Sequence, residues 1–286
     1  MISLKQITVL LIISCFFLNH NIFSQTIHPS TYDRRAVIVP VGQSRTFMLT
    51  NQKGLFYYGE TGQPNTSRYH GLNYLTLEFL EDYIIEISGV MLSRSEAEVH
   101  LMGNKLIRYF KNLAIEEEIS MADSLPILMV KLRLKQKTSL AIAPLISGSN
   151  EKQDFTIDWS TSDKILYITR NQHLARNDDN SYPQWIGICT YPEGEYATTG
   201  IEYKSKLVQK NVFCPGKINI YAETEALILF VIGNNKNGVL NNRNVMLENL
   251  NIEIKKQKSQ IEGIRQAQMY YNNNQAGLLV SLFECK

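Results

Sequence analysis

Ahead of Gly71 the chain carries Asn65-Thr66-Ser67-Arg68-Tyr69-His70, a run whose side chains can donate, accept, stack and hold charge. Arg68 and Asn65 can donate to sugar hydroxyls or to backbone carbonyls. Tyr69 offers a flat apolar face to a pyranose ring, and His70 adds a neutral donor and acceptor. A polar loop of this kind suits recognition when a rigid scaffold holds it. The same residues can serve a local purpose instead, with Arg68 paired to an acid and Tyr69 and His70 pinning the loop. Asn65, Arg68, Tyr69 and His70 are the expected ligand-binding or domain-docking residues, and no catalytic residue is assigned.

Other chemistry finds little footing. Glycoside hydrolysis needs two carboxylates roughly 5 to 10 Å apart across the scissile bond. The acidic runs Glu116-Glu117-Glu118 and Asp178-Asp179 have the look of solvated faces and turns. Gly148-Ser149 lacks the Gly-x-Ser-x-Gly elbow of a hydrolase nucleophile. His28, His70, His100 and His173 are scattered singly, so neither a metal site nor any cofactor is expected. Tyr57, Tyr58, Trp159, Tyr182 and Trp185 are candidates for a carbohydrate platform, or else core and rim residues of strands.

These residues need a scaffold, and the dominant period along the chain is two. Val130-Lys131-Leu132-Arg133-Leu134-Lys135 and Asp154-Phe155-Thr156-Ile157-Asp158-Trp159 alternate apolar with polar, the mark of strands with one buried face. Further strands are expected at Ala36 to Val39, Ser44 to Leu49, Tyr74 to Leu80, Tyr83 to Ser88, Ile107 to Leu113 and Ile115 to Met121. The pattern resumes at Ser139 to Ile146, Lys164 to Thr169, Trp185 to Tyr191, Ile201 to Val208, Lys217 to Tyr221 and Ala226 to Ile232. Turn-forming clusters separate them, with no long helical crossovers. The expected class is therefore mainly β, a large two-sheet antiparallel sandwich. After a hinge-like Gly233 to Gly238, Leu247, Leu250, Ile254, Ile261 and Ile264 recur on one helical face between Asn242 and Tyr271. That helix either packs on its own sandwich or serves as a linker or docking element.

The segment Thr50-Asn51-Gln52-Lys53-Gly54, with Asn65-Thr66-Ser67-Arg68-Tyr69-His70-Gly71-Leu72 after it, resembles the opening of the N-terminal domain of bacterial glycogen-debranching, amylo-1,6-glucosidase-type enzymes. The likeness covers residues 45 to 80, and beyond it extends only to an order of strands. Leu55-Phe56-Tyr57-Tyr58 stands where that family usually shows further glycines. The resemblance implies a non-catalytic β-supersandwich that precedes an (α/α)6 catalytic barrel. In such enzymes the acid and base belong to the barrel, and this loop lies toward it. The implied partners are an α-glucan or other glycan, or a separate catalytic barrel. The chain as it stands is expected to hydrolyse nothing.

Residues 1–24 have the layout of a secretory signal peptide: Lys5, an apolar run from Ile7 to Leu18, then polar residues and a small Ser24. The apolar run falls short of the roughly 20 residues a membrane span needs, so no membrane span is expected. A secreted or periplasmic location follows, with Cys15 as a lipidated anchor the alternative. The expected division is a leader over 1–24, a sandwich over 25–238 and a helical linker-like segment with its tail over 239–286. The whole chain has 29 basic residues, Lys5 among them, against 27 acidic ones, so its balance offers no electrostatic basis for binding nucleic acid. Cys189, Cys214 and Cys285 form no Cys-x-x-Cys pair, which leaves buried thiols or one bridge open. A cell-envelope structural or adhesion protein, with the sandwich as scaffold and the helix as assembly element, is the alternative function.

Overall fold

A computed structural model describes residues 36–67, 69–75, 77–147, 155–170, 184–198 and 212–252. Strands β1 (Val37–Val39), β2 (Thr46–Thr50), β3 (Leu55–Glu60), β4 (Gly71–Tyr74), β5 (Leu77–Leu80), β6 (Asp82–Ile87) and β7 (Val90–Met91) open the fold. A 3-10 turn at Arg94–Glu96 leads into β8 (Glu98–Leu101), β9 (Lys105–Phe110), β10 (Ile115–Met121), β11 (Ile127–Leu134) and β12 (Thr138–Ser147). Then come β13 (Phe155–Ser160), β14 (Ile165–Arg170), β15 (Trp185–Tyr191), β16 (Glu195–Ala197), β17 (Val212–Phe213), β18 (Lys217–Ala222) and β19 (Glu225–Gly233). One helix, α1, follows at 236–252. From Ile38 onward these residues belong to one compact unit, and of the unit ending at Val37 only residues 36 and 37 are described.

The architecture is mainly β, as the alternation predicts. A nine-stranded sheet runs in the order β1-β8-β9-β10-β11-β19-β15-β14-β13. A six-stranded sheet, β16-β18-β12-β6-β7 with β17 paired to β12, and a four-stranded sheet, β2-β3-β4-β5, complete the described strands. The inward side chains of all three sheets merge into one core. Leu55, Tyr57 and Leu72 from the four-stranded sheet and Ile85, Leu140, Ile142 and Ile220 from the six-stranded one belong to it. They join Leu106, Ile119, Val130, Ile188, Ile228 and Phe230 of the nine-stranded sheet. The layer expected to be a second sheet is thus divided in two.

Alternation decides which side chains enter that core. In β10, Ile115, Glu117, Ile119 and Met121 point inward while Glu116 and Glu118 face outward, where they pair with Arg133 of β11. Ion pairs this exposed are worth about 0–1 kcal/mol each and mainly keep the face wet. The other half of the outer face is apolar: Ile165, Tyr167, Cys189, Leu229 and Val231 lie beneath α1, which buries Val239 and Met246 on them.

The helix begins six residues before Asn242, inside the segment expected to be a hinge. Asn235 explains the difference, because its side-chain oxygen accepts the Gly238 N–H at 2.8 Å and its carbonyl accepts the Val239 N–H at 3.1 Å. It is an N-cap, and a capping asparagine amid Asn and Gly reads as a turn until the helix behind it is seen. Asn242 ties α1 to the Ile232 carbonyl and Arg243 ties it to the Asp163 carbonyl, at 2.9 and 2.6 Å. The leader, Cys15, the strand expected at Ile201 to Val208, and Ile254, Ile261 and Ile264 lie outside the described residues. Among the described residues no helix is long and apolar enough to cross a membrane, a statement that leaves β-barrels aside.

Candidate functional site

The polar run of the sequence forms the connection between β3 and β4, and its residues divide by direction. Asn65 points inward and is only 2% exposed. Its side-chain oxygen accepts the Glu60 N–H at 3.1 Å, its amide donates to the Glu81 carbonyl at 2.7 Å, and its backbone N–H donates to Asp82 Oδ2 at 3.0 Å. His70, 1% exposed, accepts the backbone N–H groups of Thr66 and Ser67 on Nδ1, at 3.1 and 3.2 Å, and meets the Tyr58 ring edge-on. Two donors converging on Nδ1 assign the proton of a neutral imidazole to Nε2. Tyr69, between these anchors, is 72% exposed. Arg68 lies outside the described residues.

Gly71 closes the loop at φ +124°, and a Cβ there would lie 2.2 Å from the Leu80 carbonyl oxygen. Only glycine fits that combination of backbone angle and contact. Gly59 has a related role on the other strand, since a Cβ there would sit 2.7 Å from Asn65 Oδ1.

Beneath the loop lies a buried polar network that the sequence reading passes over. Arg108, fully buried, donates to the Thr61 carbonyl at 2.7 Å, the Glu60 carbonyl at 3.0 Å and Glu117 Oε2 at 2.7 Å. Tyr83 donates its hydroxyl to Glu117 Oε1 at 2.6 Å. Asp82 receives both terminal nitrogens of Arg94, at 2.8 and 2.6 Å, and the Tyr57 hydroxyl at 3.2 Å. Burial first, and the carboxylate each phenol touches second, raise the pKa of Tyr57 and Tyr83, so both remain donors. Burial pulls the Arg94 guanidinium down, but the Asp82 carboxylate together with the Tyr57 and Tyr83 phenols outweighs it and the net shift is upward.

The signal for this network was present in the strand phase. Leu106, Arg108 and Phe110 occupy the inward positions of β9, and Glu117 sits between inward Ile115 and Ile119 on β10. The hairpin pairs Arg108 directly with Glu117. A charged residue in the apolar phase of each strand of one hairpin foretells a buried pair. Glu117 therefore departs from the solvated face expected of the Glu116–Glu118 run.

Asp82 and Glu117 both line a cavity of about 130 Å³ under Gly62, Gln63 and Pro64. Two carboxylates in one cleft invite comparison with a glycosidase pair. Their oxygens, however, are taken up by Arg94, Tyr57, Asn65, Arg108 and Tyr83, which gives the pair a structural role in holding the loop.

The chain matches no protein-family model and no curated protein. Its functional reading therefore rests on the site and on the resemblance over residues 45 to 80.

The described aromatic candidates take the core and rim roles rather than forming a shared platform. Tyr57 is fully buried, Trp159 stacks on Tyr196 beside the inner core, and Trp185 packs with Tyr167 on the outer cluster under α1. The two tryptophans thus serve opposite faces of the nine-stranded sheet, and Tyr182 lies outside the described residues. Cys189 and Cys214 belong to separate buried clusters and are not joined to one another, while Cys285 lies outside the described residues. Burial pushes the Cys189 thiol up to about 12. Among the described residues no group of side chains is placed to hold a metal ion.

Proposed function

We propose that this protein is a non-catalytic, carbohydrate-associated sandwich domain of the glycogen-debranching type, with the β3–β4 loop presenting Tyr69 to an α-glucan. The observation that carries this reading is the division of labour in the loop. Asn65 and His70 are anchored from within, so Tyr69 stands 72% exposed on a loop held at both of its shoulders. An aromatic face held out by a rigid loop loses little conformational freedom when a sugar ring stacks on it. Arg68, adjacent in sequence, remains a proposed recognition residue, and docking of a catalytic barrel is the other role that the resemblance implies.

The scaffold or adhesion alternative relied on the helix as an assembly element. Over 236–252 the apolar face of α1 is engaged with its own sheet through Val239 and Met246, which favours the carbohydrate reading. Native gels cast with and without glycogen test the proposal. Wild type is expected to be retarded by glycogen and Tyr69→Ala to migrate as in the glycogen-free gel. Equal migration of wild type in both gels contradicts glycogen recognition.

A further inference from the structure

A second cleft lies away from the motif loop, where α1 meets the end of β4. It has a volume of about 460 Å³ and is lined by Tyr74, Pro126 and the amide-rich stretch Asn234, Asn235, Asn237, Asn241 and Asn242. That volume falls within the roughly 300–1,000 Å³ usual for small-molecule sites. Among the described residues no acidic or basic side chain lines it, so none of them offers an ionic ligand a counter-charge.

The amides divide into two sets. Asn235 caps the Gly238 N–H and Asn242 holds the Ile232 carbonyl, so these two build the wall. Asn234, Asn237 and Asn241 are exposed, and their side chains enter no hydrogen bond among the described residues. Each brings a carbonyl acceptor and two N–H donors. A sugar hydroxyl both donates and accepts, so a row of neutral amides complements a polyol where charged groups would pay a desolvation cost. Half-buried Tyr74 supplies the flat ring such a site needs beside its hydrogen-bonding groups. The helix end is not itself the attraction, because Asn235 already accepts one of its N–H groups.

We infer that this cleft is a second binding site, for one or two rings of a neutral oligosaccharide, with Asn234, Asn237 and Asn241 reading hydroxyls and Tyr74 stacking. The choice of ligand rests on the carbohydrate-associated reading above, but the residues are distinct from the β3–β4 loop. The two sites can therefore fail separately.

Calorimetric titration with maltotriose and with cellotriose decides it, using wild type, Tyr69→Ala and the double variant Asn237→Ala, Asn241→Ala. Both asparagines are exposed and alanine favours the helix, so an unchanged circular-dichroism melt is expected to show the double variant folded. The inference predicts that at least one trisaccharide binds, that the double variant binds it about ten-fold or more weakly, and that Tyr69→Ala retains this binding. In nitrogen-15 spectra the side-chain amides of Asn237 and Asn241 are expected to shift with the bound sugar. Binding abolished by Tyr69→Ala and unaffected by the double variant overturns the cleft and leaves the loop reading standing. The reverse pattern supports the cleft, and the loop is then judged separately by the glycogen gels. Absence of binding by wild type to either sugar overturns the inference.

Discussion

Arg108 is the residue on which the loop's shape most depends. It joins β9 to Glu117 and at the same time holds the carbonyls of Glu60 and Thr61, where the loop departs from β3. Removing one member of a buried ion pair leaves an uncompensated charge, at a cost of about 3–5 kcal/mol, whereas replacing both members with apolar residues is often close to neutral. Urea unfolding of Arg108→Ala is therefore expected to lose about that amount, and Arg108→Met with Glu117→Leu to recover part of it. A loss below about 1 kcal/mol for the single variant contradicts the assigned role. The phenols and the thiol set a second expectation. Their folded pKa values are raised, chiefly by burial, so the stability they confer is fully present below their unfolded values, about 8.5 for Cys and 10 for Tyr. Above those values the unfolded chain releases protons that the folded chain retains. The urea midpoint is expected to fall as pH rises from 8 to 11, and Cys189→Ala is expected to soften the early part of that fall. A flat midpoint over this window contradicts the burial of these groups.

At the scale of elements, period-two reading places most of the described strands because one face of each is buried. β10 (Ile115–Met121) and β15 (Trp185–Tyr191) occupy the expected residues without adjustment. β3 was missed because Leu55-Phe56-Tyr57-Tyr58 is apolar without clear alternation, and its residues face a core on one side and the edge-on His70 on the other. The expected strand Tyr74 to Leu80 divides into β4 and β5 around Leu75, which takes a positive φ. In the loop, the residue types that mark it were legible, but their directions were not: whether Asn65 faces a ligand or Glu81 depends on a backbone carbonyl 16 residues away, between β5 and β6. Packing of α1 on its own sheet is one of the two alternatives its apolar face offers, and over 236–252 it is the one found; the role of Gly187 in it was not legible. A Cβ on Gly187 would come within 2.3 Å of Val239, so the sheet gives up a side chain where the helix needs room. Gly187→Leu is expected to displace α1 and expose the apolar outer cluster, read as new binding of a hydrophobic dye and as loss of hydrogen-exchange protection over 239–246. Unchanged protection there contradicts the close approach.

At the scale of the whole molecule, the three sheets make a scaffold with a continuous core, and the residues proposed for recognition lie outside it. The fold class follows from local pattern, because alternation and turn spacing are repeated many times along the chain. The proposed function has no such redundancy. It rests on exposed Tyr69, on the masking of two carboxylates by arginines that sequence order keeps apart, and on amides gathered where β4 and α1 converge. The central claim is that the anchored loop binds α-glucan through Tyr69 without cleaving it. Its most direct test is isothermal titration of the protein with maltoheptaose, with reducing ends assayed in the same cell afterwards. A saturable heat component that is lost in Tyr69→Ala and kept in the Asn237→Ala, Asn241→Ala variant, with no new reducing ends, is the predicted result. No heat component removed by Tyr69→Ala, no heat at all, or sugar release abolished by substituting one carboxylate would contradict the account.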